Sequence, residues 1–200
     1  KKNLEIREGK KGIFVENLTE IRVDTPDIAF NLVKQGDSNK IIAETKLNDK
    51  SSRSHCIFRI SLELVDFSGK KYSSTLNLID LAGSENATKT KTEGVRFQEG
   101  SNINKSLLAL SNVIQKLSQA NLNSNGVSKV GNGFINYRDS KLTRFLQPSL
   151  AGNSKTIIIC TISVENNNYS ETLNTLLFAA RAKNIKTTVK VNELIDEKDK

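Results

Sequence analysis

The 200-residue chain has no tryptophan, and aromatic residues make up only 6% of it. No aromatic pair is flanked by basic residues, so recognition of single strands by base stacking has little to stand on. Nowhere does the sequence approach the ~18 consecutive apolar residues of a membrane span. The opening Lys1-Lys2-Asn3-Leu4-Glu5 lacks the apolar core of a secretory signal. Cysteine is scarce: Cys56 and Cys160 each sit in an apolar, strand-like run. That usage points to a reduced, intracellular protein with packing cysteines and away from a disulfide framework.

What is present in excess is positive charge. Thirty Lys and Arg against 22 Asp and Glu give a formal net charge of +8, which calls for an acidic partner. An acidic protein surface answers that call as well as nucleic acid does. Apolar residues make up 36%, and two hundred residues suffice for one domain, or one large piece of a domain, with a real core.

Periodicity predicts the elements. A strand pair or loop-strand is expected over 14–23. A helix opens at Thr25-Pro26, with Thr25 as cap and Pro26 at the first position, and ends at Gly36. Residues 56–64 alternate as a strand, Ser68-Gly69 turn, and 72–81 return, making an antiparallel hairpin. Ile103, Leu107, Leu110, Ile114 and Leu117 put one face of a helix over 99–119 into a core. The polar stretch 121–133 reads as a surface loop, and 139–147 as a short basic helix stopped by Pro148. Residues 156–162 read as a continuous apolar strand for the middle of a sheet. A last helix spans 170–186, followed by an extended and then charged tail. This order predicts an α/β fold with a mixed sheet flanked by helices.

Two polar segments interrupt the apolar pattern. The stretch "LIDLAGSENATKT" (78–90) drives an apolar strand into Asp80, then Ala82-Gly83, then Glu85. A polar turn after a buried strand is one account. The sharper one has Gly83 leaving a bare backbone N–H toward a ligand, with Asp80 serving a metal and Glu85 a proton. The second segment, Asn48 to His55, sets Ser51, Ser52, Arg53 and Ser54 between a helix end and a strand start. Adjacent hydroxyls in a loop can ligate Mg²⁺ and touch a terminal phosphate, and the Arg53 fork can pair with a carboxylate, Glu85 above all. The predicted hairpin brings both segments to the same side of a sheet.

In order and spacing, "NDKSSRSH" (48–55), "DLAGSE" (80–85), "NINKSL" (102–107) and "YRDSKLTRFLQ" (137–147) resemble the signature segments of kinesin motor domains. The text between them, such as "GIFVENLTEIRV" and "LLFAARAKNIKTTVKVNEL", is similar as well. "GFINYRDSKLTR" and "GVRFQEGSNINKSL" resemble most the centromere-associated mitotic class. The resemblance implies the C-terminal portion of a motor domain of the P-loop NTPase fold over 1–186, a neck linker over 187–194, and a charged tail over 195–200 that begins the neck.

It also implies roles. Asn48, Ser51 and Ser52 would belong to the first nucleotide switch, with Ser52 binding Mg²⁺ directly. Asp80 would hold the metal through water, and the Gly83 N–H would sense the γ-phosphate of ATP. Arg53 and Glu85 would form the ion pair that closes over ATP, Glu85 drawing a proton from the attacking water through a relay. Asn102, Asn104 and Lys105 would mark the switch-facing end of the relay helix. Lys89, Lys91, Lys105, Arg138, Lys141 and Arg144 would face the microtubule. Ile185, Val189, Val191 and Asn192 would lie in the neck linker, which docks when ATP is bound. His55 is assigned no chemistry.

Two departures stand out: Pro148 where a polar helix residue is usual, and no G-x-x-x-x-G-K-[S/T] phosphate loop in these residues. The expectation is therefore a microtubule-stimulated ATPase and motor when intact, using ATP and Mg²⁺, with tubulin as partner. This chain alone is expected to be inactive and to require the missing N-terminal half of the motor. A homodimer through regions beyond the chain, and a cytoplasmic place on the microtubule cytoskeleton or spindle, are expected too. Neither a nucleic-acid partner nor a membrane span is. The alternative is a non-catalytic microtubule- or tubulin-binding module.

Overall fold

Helix α2 (Val95–Ser124) and helix α3 (Lys141–Ala151) carry most of the buried apolar residues. The computed structural model describes residues 4–9, 12–39, 42–43, 51–52, 54–84, 95–124 and 134–194, with backbone alone at 42–43, 51–52, 95–101 and 121–124. Two compact units result: Lys1–Thr19 with Ser84–Val189, and Glu20–Gly83 with Lys190–Lys200.

In the first unit, strands β1 (Ile6–Gly9) and β2 (Gly12–Val15) pair antiparallel, Ile6 opposite Val15. On α2, Ala109, Leu110, Val113, Ile114 and Leu117 are buried, the face that the apolar spacing predicts. The unit's other buried apolar residues are Ile6 of β1 and Leu142, Phe145, Leu146 and Leu150 of α3. Ser140 caps α3 by accepting the Thr143 amide at 3.0 Å. Thr143 is fully buried, and its hydroxyl donates to the Tyr137 carbonyl at 2.8 Å, so the burial leaves no orphan. Helix α4 (Tyr169–Lys183) completes the unit, slightly earlier than the predicted 170–186.

Two expectations fail here. Pro148 does not stop α3, which continues through it to Ala151. The ring suits helical φ, and its missing N–H forfeits one bond in the last turn only. Local partners take up that turn's carbonyls: the Gly152 amide bonds the Pro148 carbonyl at 3.1 Å, and the Ser154 hydroxyl the Ser149 carbonyl at 2.9 Å. Gly152 comes so close that a β-carbon there would stand 2.6 Å from the Pro148 oxygen.

The second failure is the central strand. Residues 156–162 have no ladder among the described residues, and Ile157 and Ile159 are 82% and 88% exposed. A run apolar on both faces becomes a strand only when neighbours pair with its backbone and cover its faces. None of the described residues does so.

In the second unit, helix α1 (Pro26–Ser38) opens where predicted, with Thr25 extended at the cap position but making no side-chain cap bond. It passes Gly36, and the Ser38 hydroxyl donates to the Gln35 carbonyl at 2.9 Å. Strands β3 (Ile42–Ala43) and β4 (Ser51–Ser52) pair antiparallel. Strands β5 (Cys56–Val65) and β6 (Lys71–Asp80) form the expected hairpin, ten residues on each side. Strand β7 (Glu193–Leu194) adds to the outer side of β6. The chain is α/β as predicted, and its described ladders are all antiparallel.

Candidate functional site

The site begins at the hairpin turn, because the turn fixes the register. Asp66 accepts from the Ser68 amide (2.8 Å), the Ser68 hydroxyl (2.6 Å), the Lys70 amide (3.0 Å) and the Tyr72 phenol (3.1 Å). These donors hold its carboxyl below the usual range, the Ser68 hydroxyl most of all. Gly69 takes φ +83°, the left-handed conformation that favours glycine. With the turn set, a one-residue slip would reverse every side chain. The resulting pairing places Cys56 opposite Asp80 at the far end.

There the two polar segments meet. His55, just before β5, accepts the Ala82 amide on Nδ1 at 3.0 Å. Burial pushes the His55 pKa down, which favours the neutral ring that such an acceptor requires. Ala82 is buried and Gly83 half-buried where the chain leaves β6. Three residues before His55, Ser51 and Ser52 lie in β4, Ser52 opposite Ile42 and Ser51 opposite Ala43.

Asn48, Arg53 and Glu85, with Lys89 and Lys91, lie outside the described residues. The structure thus joins His55, just before β5, to Ala82, just after β6, at the open end of the hairpin. It gives no geometry for the Arg53–Glu85 pair. His55, which the sequence reading assigns no chemistry, makes a structural bond that ties one segment to the other. The available signal was its position, one step beyond the Cys56–Asp80 pair at the open end of the hairpin.

The basic positions divide. Lys105 is exposed on α2, and Arg144 is half-buried on α3. Lys141 is engaged within the chain: its ammonium donates to Glu5 Oε1 at 2.9 Å and to the Leu4 carbonyl at 3.0 Å. The Lys141 ammonium bonded to it holds the Glu5 carboxyl below its ordinary range. Arg138 stands 3.8 Å from Glu8. Both acids belong to the β1 segment, so two of the basic residues expected to face outward also fasten the N-terminal hairpin. Sequence spacing gave no sign of this, since Glu5 and Lys141 are 136 residues apart.

Toward the C-terminus, the Ile185 amide bonds the Ala182 carbonyl at 3.1 Å. Val189 and Val191 are exposed. The Asn192 carbonyl accepts the Ser73 amide at 3.0 Å, and β7 follows at once on β6.

The Kinesin motor domain family model matches residues 1–185. The chain belongs to the kinesin motor-domain family. It is 48% identical over 198 residues to Kinesin-related protein 4 of Dictyostelium discoideum, covering 98% of this chain and 10% of that protein. It is also 48% identical over 200 residues to Centromere-associated protein E of Homo sapiens, covering 96% of this chain and 7% of that protein. The chain therefore spans a small fraction of these relatives' lengths.

Among solved structures, it resembles a KIF14 dimer in a two-heads-bound state with AMP-PNP on a microtubule. That match has TM-score 0.84 and 38% identity, covering 94% of this chain and 52% of the other. A KIF14–ADP complex with a microtubule matches with TM-score 0.74 and 39% identity, over 98% of this chain and 55% of the other. The fold of this kinesin chain is thus that of part of a P-loop NTPase motor domain, as the four motifs implied.

Proposed function

We propose that this chain is the switch-bearing, track-binding portion of a microtubule-based motor that hydrolyses ATP in the intact protein. The observation that carries the reading is the bond from the Ala82 amide to His55 Nδ1, which ties the end of the first switch segment to the second. A nucleotide sensor needs two segments that move together when a γ-phosphate arrives or leaves. One hairpin end that joins both, by register and by a side-chain bond, meets that need.

The donor set fits a magnesium nucleotide. Ser51, Ser52 and Asp80 offer hydroxyl and carboxylate oxygens, the hard donors that Mg²⁺ takes. Bound there, magnesium ATP would supply the γ-phosphoryl group, with the metal offsetting its charge. Ser52 would bind the metal directly and Asp80 through water, while the Gly83 N–H and Asn48 orient the phosphate side. Arg53 and Glu85 would close over the site, and Glu85 would take the proton of the attacking water through a relay. Such positioning and charge placement are most of what phosphoryl transfer asks of a protein.

Lys105, Arg138, Lys141 and Arg144, with Lys89 and Lys91, would present positive charge to tubulin. Residues 187–194 would serve as neck linker and 195–200 as the start of the neck, with dimerisation beyond. The cellular place would then be the microtubule cytoskeleton, the spindle included. Because these residues hold no phosphate loop, the chain by itself is inactive on this reading. The N-terminal half of the motor would complete the site and cover Ile157 and Ile159.

The test is the ATPase rate of the intact protein with and without microtubules. Turnover that rises steeply with microtubules is expected. Microtubule binding without any ATPase would replace this reading with that of a non-catalytic tubulin-binding module.

A further inference from the structure

The turn that sets the hairpin register also carries a side chain that the assigned chemistry leaves unused. Lys70, held at the turn by its own amide on Asp66 Oδ1, reaches Glu193 Oε1 with its ammonium at 3.1 Å. Glu193 begins β7, a strand of two residues. β7 pairs with β6 at the end farthest from the switches, Tyr72 opposite Glu193 and Lys71 opposite Leu194. The Ser73 amide adds a bond to the Asn192 carbonyl at 3.0 Å.

So short a ladder is marginal, since a strand gains stability from many pairs and from a covered face. Leu194 and Val191 are both exposed, so apolar burial does little to hold it. The ammonium–carboxylate contact adds a side-chain tie to the few backbone bonds that hold β7 on β6. On the rigid turn, Lys70 is also prepositioned. Asp66 takes four hydrogen bonds there, one from Tyr72, the residue opposite Glu193.

We propose that Lys70 is a positioning residue, and that its pair with Glu193 is an electrostatic latch setting how much of the time the C-terminal strand is docked on β6. This rests on the reading of 187–194 as a neck linker only for its consequence, which is that the latch tunes docking of that linker. A two-state segment responds to any contact made in one state and not the other. Lys70–Glu193 is such a contact, because it forms only when β7 is in place.

The experiment is amide hydrogen exchange of the intact motor in AMP-PNP and in ADP, comparing wild type, Lys70→Glu, Glu193→Lys and the double charge swap. The probes are the amides of Ser73 and of residues 192–194, with Ile57 and Phe58 of β5 as an internal control. Each reversal is expected to speed exchange at the probes several-fold, while the control stays unchanged. The swap should return it to within about twofold of wild type, and Lys70→Arg should leave it unchanged. High salt should weaken the wild-type protection toward that of the single variants, as for an exposed pair.

Probe exchange unaffected by the single reversals, or as fast in the swap as in the singles, overturns the latch. Wild-type exchange that is the same in both nucleotides, with swap rescue intact, retains the latch and removes the neck-linker reading instead.

Discussion

The helix pair α2–α3 and the hairpin β5–β6 solve opposite problems. In the helices, Ile114 and Phe145 are almost fully buried, and the polar Thr143 among them is satisfied by the Tyr137 carbonyl. The hairpin has a complete ladder of backbone pairs, yet Leu62, Leu64, Leu76 and Leu78 all stay at least half exposed. Backbone bonding in a hairpin is settled by the turn and a few neighbours. Burial of a sheet face needs another layer. One region is complete by itself, and the other is an ordered surface. On the proposed reading, that surface presents the switches at one end and takes a layer from the rest of the motor along its faces.

The sharpest way to break this contrast is at the open end of the hairpin. In the intact motor, Glu85→Ala should lower turnover by about 10²–10⁴-fold, the range for loss of a group handling a proton in the transition state, and leave ATP binding nearly intact. Arg53→Ala should resemble it, with the double variant little worse than either, as for members of one pair. Steady-state kinetics beside nucleotide titration checks this. Near wild-type turnover in either single variant would count against the assignment.

The packed region should respond in the other currency. Ile114→Ala should cost about 2–5 kcal/mol by denaturant unfolding, for the lost burial and the cavity left behind. Leu64→Ala in the isolated chain should change stability by less than ~0.5 kcal/mol, as at most surface positions. If the hairpin face is covered in the complete motor, the same Leu64→Ala should cost several-fold more there. Equal small costs in both proteins would mean that nothing packs on that face.

The same contrast explains what could be read in the sequence. The α2 stripe and the β5–β6 alternation were legible, because period and turn chemistry are local. So was the meeting of His55 with Ala82, because a hairpin of known register brings its outer ends together. Residues 156–162 were read as a central strand from apolarity alone, and pairing depends on neighbours that the described residues do not supply. Pro148 reads as a stop because a proline forfeits a helical amide bond, yet here it stands in the last turn, where one lost bond does not end the helix before Ala151. Lys141 reads in the sequence as a basic residue for the microtubule face, and its additional pairing with Glu5 was not legible because the two are remote in sequence. Long-range ion pairs carry no periodic signal.

A smaller effect sharpens the role of the basic positions. Microtubule affinity should fall steeply with salt, since exposed charges are screened over ~8 Å at physiological ionic strength. Arg144→Ala should weaken binding at every salt concentration without loosening the N-terminal hairpin. Lys141→Ala should do both, because it also removes the contacts to Glu5 and to the Leu4 carbonyl. Co-sedimentation, with amide exchange of residues 6–15, separates the two. Affinity constant from low to high salt would remove the electrostatic account of the track.

The smallest effect expected is a pH dependence at the hairpin's open end. Burial lowers the His55 pKa below its ordinary 6.5, so the folded protein favours the neutral ring that accepts the Ala82 amide. In the unfolded chain the same ring takes a proton near the ordinary value, so the unfolded state binds more protons just below it. Stability from this group is then fully present above pH 6.5 and is lost as pH falls from there through the lower folded value. His55→Asn offers a carbonyl oxygen in place of Nδ1 and has no proton to gain. Its unfolding midpoint should therefore vary less between pH 7.5 and 5.5 than that of wild type, with protection of the Ala82 amide held at the lower pH. An identical pH slope in the two proteins would mean that the bond between Ala82 and the ring does not titrate with His55.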